Sequence, residues 1–234
     1  MIEAHIIPEG FFRRLDQGSG PLRLLSGDDF PRRIRTGIYD SGILCADCEP
    51  RFGPWDTYAQ GLLTDDVGRA TIQRHGNQIV GYEIGRGDWQ YDPLKLFFVS
   101  LLWRASVSSQ QMFRRIEVGP FEDVARRMLE QGDPGSPQDF AVALTKSDPR
   151  YGRVIIDPFP ERIEDVNYVR FYLGLYVAYI KVDSRPGAAW LDPFVLDPGQ
   201  PLRILVRNYT ETRDLPALQR LVTRPQNLKY ARGK

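Results

Sequence analysis

Histidine and cysteine are nearly absent from this chain, with two of each among 234 residues. Two cysteines cannot build a disulfide framework. These two, Cys45 and Cys48, stand so close in sequence that a bond between them would close too small a loop to staple a fold. A reducing, cytoplasmic setting is therefore expected. Long apolar runs are also missing. The most apolar stretch, Leu94 to Ala105, carries Lys95 and Arg104 and is too short to span a bilayer, so no membrane partner is expected. The opening Met1-Ile2-Glu3-Ala4-His5 lacks the basic and apolar regions of a signal peptide. Neither sign of charge is in excess. Lys and Arg number 31 against 30 Asp and Glu, a net charge of +1, which excludes wrapping of nucleic acid by bulk electrostatics and leaves any such contact to a local patch. No internal repeat or low-complexity tract is present.

What the chain does contain is ordinary for a globular protein: 42% hydrophobic and 26% charged residues. Its length suits one large domain or two small ones. The 21 glycines and 18 prolines predict many short elements joined by turns. Residues 2 to 8 read as a strand ended by Pro8, and Phe11, Phe12 and Leu15 as a helical turn. Residues 16 to 42 read as loop. A helix is expected after Cys48, interrupted in its first turns by Pro50, Gly53 and Pro54, with Trp55, Tyr58 and Leu62 facing inward. Arg69 to Ile84 reads as a hairpin around His75-Gly76-Asn77. Asp92-Pro93 predicts an N-cap and first helical residue for a central core helix with Leu94, Phe97, Phe98, Leu101, Leu102 and Ala105 at helical spacing. Phe121 to about Glu130 predicts a second amphipathic helix, stopped at Gly132. The remainder is strand-rich: Phe140 to Leu144, Arg153 to Ile156, Val166 to Asp183 split at Gly174, Phe194 to Leu196 and Leu202 to Val206. A last helix is expected from Asp214 to Leu221, followed by a basic tail.

Chemistry-bearing residues concentrate near the start. Cys45-Ala46-Asp47-Cys48 has the spacing that lets two thiolates face one metal ion from a tight turn. The same pair also reads as two buried cysteines beside a turn, or as a redox pair. A zinc site would need both sulfurs and two further ligands from residues such as His5, His75, Asp47 or Glu49. His5, on an apolar strand, reads either as a hydrogen-bonded structural histidine or as a base. Arg32, Arg33 and Arg35 form a basic cluster that reads either as a solvated loop or as a phosphate contact. The aromatic stretch from Tyr168 to Tyr179 reads as a packed sheet, with a base-stacking platform as the alternative.

His5-Ile6-Ile7-Pro8 together with Leu44-Cys45-Ala46-Asp47-Cys48 resembles the HNH, or His-Me finger, endonucleases, and is similar to a group of uncharacterised bacterial proteins with an HNH-like start. The resemblance covers about the first quarter of the chain. It implies His5 as general base on the attacking water and Pro8 as the proline of the motif. It also implies Cys45 and Cys48 as the CxxC that opens the finger helix. Glu49 stands where many members have a metal-binding histidine, and Asp40 near the position of the motif's asparagine. The chemistry implied is hydrolysis of a phosphodiester, with an imidazole taking a proton at neutral pH and zinc or another divalent metal stabilising the charge on the phosphate. Two departures stand out. Ala4 occupies the metal-ligand position before the histidine, and one CxxC stands where many members have two.

The expected fold is α+β: a treble-clef-like N-terminal unit, residues 1–66, packed on a mixed α+β body with antiparallel strands, residues 67–234. The expected function is cleavage or binding of nucleic acid. Its catalytic residues would be His5, Asp40 and Glu49, its phosphate contacts Arg32, Arg33 and Arg35, and its metal ligands Cys45 and Cys48. The alternative is a non-catalytic interaction or regulatory protein, with a protein partner and a structural finger remnant.

Overall fold

Leu94, Leu96, Phe97, Phe98, Val99, Leu101, Leu102 and Ala105 lie on every side of one helix, Tyr91–Ser106, and all are buried. A helix that is apolar all round has to be enclosed, because each exposed face would leave a few kcal/mol of burial unrealised. The rest of the chain is arranged to enclose it. The computed structural model describes residues 2–13, 23–25, 32–33, 38–64, 70–147, 155–207 and 225.

In chain order the elements are β1 (Ala4–Ile7), α1 (Glu9–Arg13), β2 (Arg23–Leu25), β3 (Arg32–Arg33), β4 (Ile38–Asp40), α2 (Gly53–Thr64), β5 (Thr71–His75), β6 (Gln78–Ile84), α3 (Tyr91–Ser106), α4 (Glu122–Gln131), β7 (Val142–Ser147), β8 (Ile155–Ile156), β9 (Phe159–Ile163), β10 (Val166–Leu173), β11 (Tyr176–Lys181) and β12 (Leu202–Arg207). The fold is α+β. Seven strands form one sheet in the order β5-β6-β12-β7-β11-β10-β9. Its pairings are antiparallel except for β12 with β7. β1 pairs antiparallel with β4, and β2 lies between β3 and β8 in a three-stranded sheet.

Alternation along the central strands divides their side chains between two clusters. Val169, Phe171 and Leu173 of β10 and Ala178 and Ile180 of β11 join the main core with α3, α4, α2 and the β1 hairpin. Val166, Tyr168 and Tyr172 of β10 and Val177 and Tyr179 of β11 join a second cluster with Ala188 and Leu191 on the other face. Residues on both sides of position 66, from Ala4 and Phe52 to Phe98 and Ile180, thus share one core. Among the described residues no helix is long and apolar enough to cross a membrane.

Several boundaries differ from the sequence expectation. Residues 16–42 hold three short strands where loop was expected, and Leu24-Leu25 pairs with Ile155-Ile156 across 131 positions (155 − 24). Such a distant pairing leaves no local periodicity. α3 begins at Tyr91 with Gln90 as N-cap, so Asp92 lies inside the first turn rather than before it. The first four helical N–H groups have no intrahelical partner, so Pro93 is tolerated there. Phe194 closes a 3-10 turn (Asp192–Phe194), and only Val195 makes a bridge, to Ala143. Elsewhere the turn chemistry holds. Gly76 (φ 58°) and Gly174 (φ 66°) turn the two hairpins, and Gly132 (φ 66°) ends α4, where Asp133 N–H donates to the Met128 carbonyl. The predicted helix at 214–221 and the basic tail lie outside the described residues.

Candidate functional site

His5 owes its position to a break in strand alternation. β1 pairs Ala4 with Asp40 and His5 with Tyr39, and the register then slips so that Ile7 faces Ile38. The bulge lets Ile6, Ile7 and Pro8 all be buried in succession while His5 stays half-buried. Its ring meets Tyr39 edge-on, with centroids 5.8 Å apart.

Two polar clamps fasten this hairpin to the C-terminal end of α3. The first is Arg104, only 2% exposed. Its Nη1 donates to the His5 carbonyl (2.6 Å) and to Asp56 Oδ2 (3.0 Å). Its Nη2 donates to Asp56 Oδ1 (2.8 Å) and Ser100 Oγ (3.0 Å), and its Nε to the Ser100 carbonyl. The fork geometry of guanidinium suits a carboxylate bidentately, and the side chain joins β1, α2 and α3 at one point. The second clamp is Asp40 at the end of β4. Its Oδ1 accepts from Gly42 N–H. Its Oδ2 accepts from the hydroxyls of Ser108 and Ser109 and from the Ser109 N–H, all within 2.9 Å. Burial alone would push this carboxyl up, but the hydrogen bonds from Gly42, Ser109 and Ser108 together hold it below the usual carboxylate range. Asp40→Ala leaves four donors without their acceptor and is expected to cost about 2–4 kcal/mol in urea unfolding. Because the native carboxyl is the stronger acid, the contribution from Asp40 is complete above the unfolded-state pKa and fades as pH falls through the native one. The loss on acidification should therefore be smaller in the variant.

Between β1 and α2 lies a pocket of about 310 Å³ lined by His5, Glu9, Glu49, Asp56, Gln60 and Arg104, among others. Glu49 opens a 3-10 turn (Glu49–Arg51) that precedes α2, so the interruption expected at Pro50 is real and places its carboxylate on the pocket wall. Gly10 fits beneath Gln60, whose Oε1 would lie 2.1 Å from an added Cβ.

Cys45 and Cys48 line a different, largely apolar pocket of about 210 Å³ with Leu44, Phe52, Trp103 and Leu129. Leu44 and Phe52 line both pockets and form the wall between them. Phe52 stacks on Trp103 (6.5 Å) and lies under the Arg104 guanidinium (5.5 Å). Both cysteines are free and half-buried, with their sulfurs 2.9 Å apart. The turn that brings them together is closed by Cys48 N–H and Glu49 N–H donating to the Cys45 carbonyl. The contact with Cys48 lowers the Cys45 thiol, and the same contact raises the Cys48 thiol.

The residues expected to form one site are therefore distributed. His5 and Glu49 share a pocket; Cys45 and Cys48 face another across Leu44 and Phe52; Asp40 is committed to holding β4 against the loop after α3. Arg32 and Arg33 form β3, paired with Leu24 and Arg23 of β2, while Arg35 lies outside the described residues. Among the described residues, no group of three or more His, Cys, Asp or Glu side chains is placed to hold a metal ion. The two sulfurs supply half of a tetrahedral zinc set. His75, at the tip of the β5–β6 hairpin, and His5, across the wall, are the chain's two imidazoles. Among the described residues, the cysteine pair lacks the two further ligands that a tetrahedral zinc needs.

Sequence reasoning passed over Arg104 and Asp56. A guanidinium inside an otherwise apolar helical run was visible, but its partner, 48 positions earlier (104 − 56), was not. No protein-family model, curated protein or solved structure matches the chain.

Proposed function

We propose that this chain is a derivative of the HNH, or His-Me finger, group that engages nucleic acid at the His5–Glu49 pocket, with His5 accepting a proton from the water that attacks a phosphodiester. One observation carries the reading. An imidazole on a strand and a carboxylate 44 positions later (49 − 5) line one pocket, and the β1–β4 pair is followed by the CxxC turn and α2, an order compatible with a treble-clef-like unit.

Charge decides how such a pocket would take a phosphate. Glu9, Glu49 and Asp56 outnumber Arg104 on its walls, so with a neutral imidazole the pocket repels an anion. A hard divalent cation commonly binds through one or two carboxylates, with water and substrate phosphate completing its shell; Glu49 would hold it, and its charge would stabilise the scissile phosphate. Within the chain, Arg104 is a positioning residue. Its bond to the His5 carbonyl fixes the strand that carries the imidazole, and Asp56 occupies the guanidinium. In this proposal Arg32, Arg33 and Arg35 contact phosphates away from the reacting group.

The test is cleavage of plasmid DNA and single-stranded RNA with Mg²⁺ or Mn²⁺. His5→Ala should lower the rate by about 100-fold or more, and Glu49→Gln should weaken the dependence on added metal, with thermal unfolding unchanged in both. A wild-type protein inert toward both substrates at every metal concentration would sink hydrolysis.

A second reading, a non-catalytic interaction or regulatory protein, is favoured by Ala4, which offers no ligand, and by Asp40, whose oxygens are all engaged within the fold. Under that reading His5→Ala alters stability alone.

A further inference from the structure

The two sulfurs do not belong to the His5 pocket, and their surroundings fit a different chemistry. The geometry points to Cys45 and Cys48 as a reversible dithiol–disulfide pair that exchanges with a small disulfide of the glutathione type. Three observations support it. First, the sulfurs stand 2.9 Å apart on one turn, and a disulfide bond is about 2.05 Å long. Closing the remaining gap is a matter of side-chain rotation, because hydrogen bonds from Cys48 and Glu49 to the Cys45 carbonyl already hold the backbone in the required turn. Second, among the described residues no third soft ligand stands by to hold both sulfurs on a metal. The chain has no other cysteine, and among the described residues no three metal-ligating side chains cluster. Third, the pair is accessible. Both residues are half-buried and open on the 210 Å³ pocket, which also carries Arg51, Arg126 and Glu130, the last two paired with each other at 2.9 Å. An apolar floor with Arg51 at its margin suits a small disulfide that carries carboxylates.

The exchange balances as follows. One cysteine thiolate attacks a sulfur of the small disulfide, forming a mixed disulfide and releasing one thiolate. The second cysteine thiolate attacks the protein sulfur of the mixed disulfide, closing the Cys45–Cys48 bond and releasing the second thiolate. The protein loses two electrons and two thiol protons; the small disulfide is reduced to two thiols, which take up both. The inference stands apart from any action on nucleic acid.

The test uses the reduced full chain in glutathione buffers stepped from fully reduced to fully oxidised, with free thiols trapped by a maleimide and counted by mass. Both thiols should disappear together in a single two-electron transition, leaving a monomer lighter by two hydrogens and without bound glutathione. Cys45→Ser and Cys48→Ser should each stop at a stable adduct with one glutathione. Three outcomes overturn the proposal: both thiols still trapped in the most oxidising buffer; a wild-type protein that retains glutathione as the single-cysteine variants do; or zinc bound between two chains that protects the sulfurs until a chelator removes it.

Discussion

Arg104→Met should lower the unfolding free energy by about 3–5 kcal/mol, the range seen when one partner of a buried ion pair is removed. Guanidinium hydrogens that met five acceptor contacts are lost at once. Asp56, its side chain 16% exposed, loses its ion-pair partner. The His5 carbonyl and the buried Ser100 hydroxyl each lose a donor. Methionine fills much of the volume, so the loss is electrostatic rather than a cavity. The measurement is equilibrium urea unfolding of wild type, Arg104→Met, Asp56→Leu and the double variant. The double variant should be more stable than Arg104→Met, because it removes the stranded carboxylate. If the three variants instead lose stability additively, Arg104 does not act through Asp56. The same experiment bears on the site. With the first clamp gone, β1 is held to α3 chiefly by packing, so amide exchange at Ala4 to Ile7 should accelerate more than at β10 and β11.

The two cationic residues of α3 show where sequence reasoning works and where it stops. Local pattern was enough to find the central helix, the amphipathic α4 with its glycine stop, the two hairpins and the split at Gly174, because each rests on periodicity or on turn residues within a few positions. It was enough, too, for the α+β class. It could not find β2 and β3, strands of two or three residues, and although β8 falls within the run read from Arg153 to Ile156, its distant pairing with β2 was not legible. Nor did it find β9, whose Phe159-Pro160-Glu161-Arg162-Ile163 contains a proline tolerated at a sheet edge. The candidate site was legible as residue types and illegible as geometry. His5 and Glu49 come to one pocket, yet the cysteines next to Glu49 in sequence turn to the opposite side of Phe52. One residue of 3-10 turn separates these outcomes, and nothing in composition encodes it. Arg104 and Lys95 were visible as charges in an apolar run, a placement that predicts buried partners but cannot name them.

Lys95 makes the second strong case, because its effect should depend on pH. The side chain is fully buried, and its Nζ donates to the carbonyls of Asp139 and Phe140, which close the turn before β7. Phe140 is held at φ 45°, and the lysine secures that strained corner. Burial pulls the amine down to about 7, opposed by Asp139 and assisted by Lys181. A neutral amine has two hydrogens, one for each carbonyl, so deprotonation leaves both bonds intact. The unfolded chain titrates near the ordinary lysine value of about 10.4. Between about pH 7 and 10 the unfolded state therefore binds more protons than the native state, and stability must rise with pH there, by up to about 1.4 kcal/mol per unit. Below pH 7 both states are protonated and the cost of burying the charge is constant. Above pH 10 the buried Tyr91 phenol, raised by its own desolvation, works in the opposite direction. Lys95→Met removes the titration and strands two carbonyls. At pH 6 the two proteins should lie close together, since methionine relieves a buried charge while losing two bonds. From pH 7 to 9 the wild type should gain about 2–3 kcal/mol on the variant, read as the difference in unfolding free energy so that the tyrosines and cysteines common to both cancel. A difference that stays flat across this range would mean that the ammonium persists in the core on its carbonyl bonds, and that the corner at Phe140 is held by a charge.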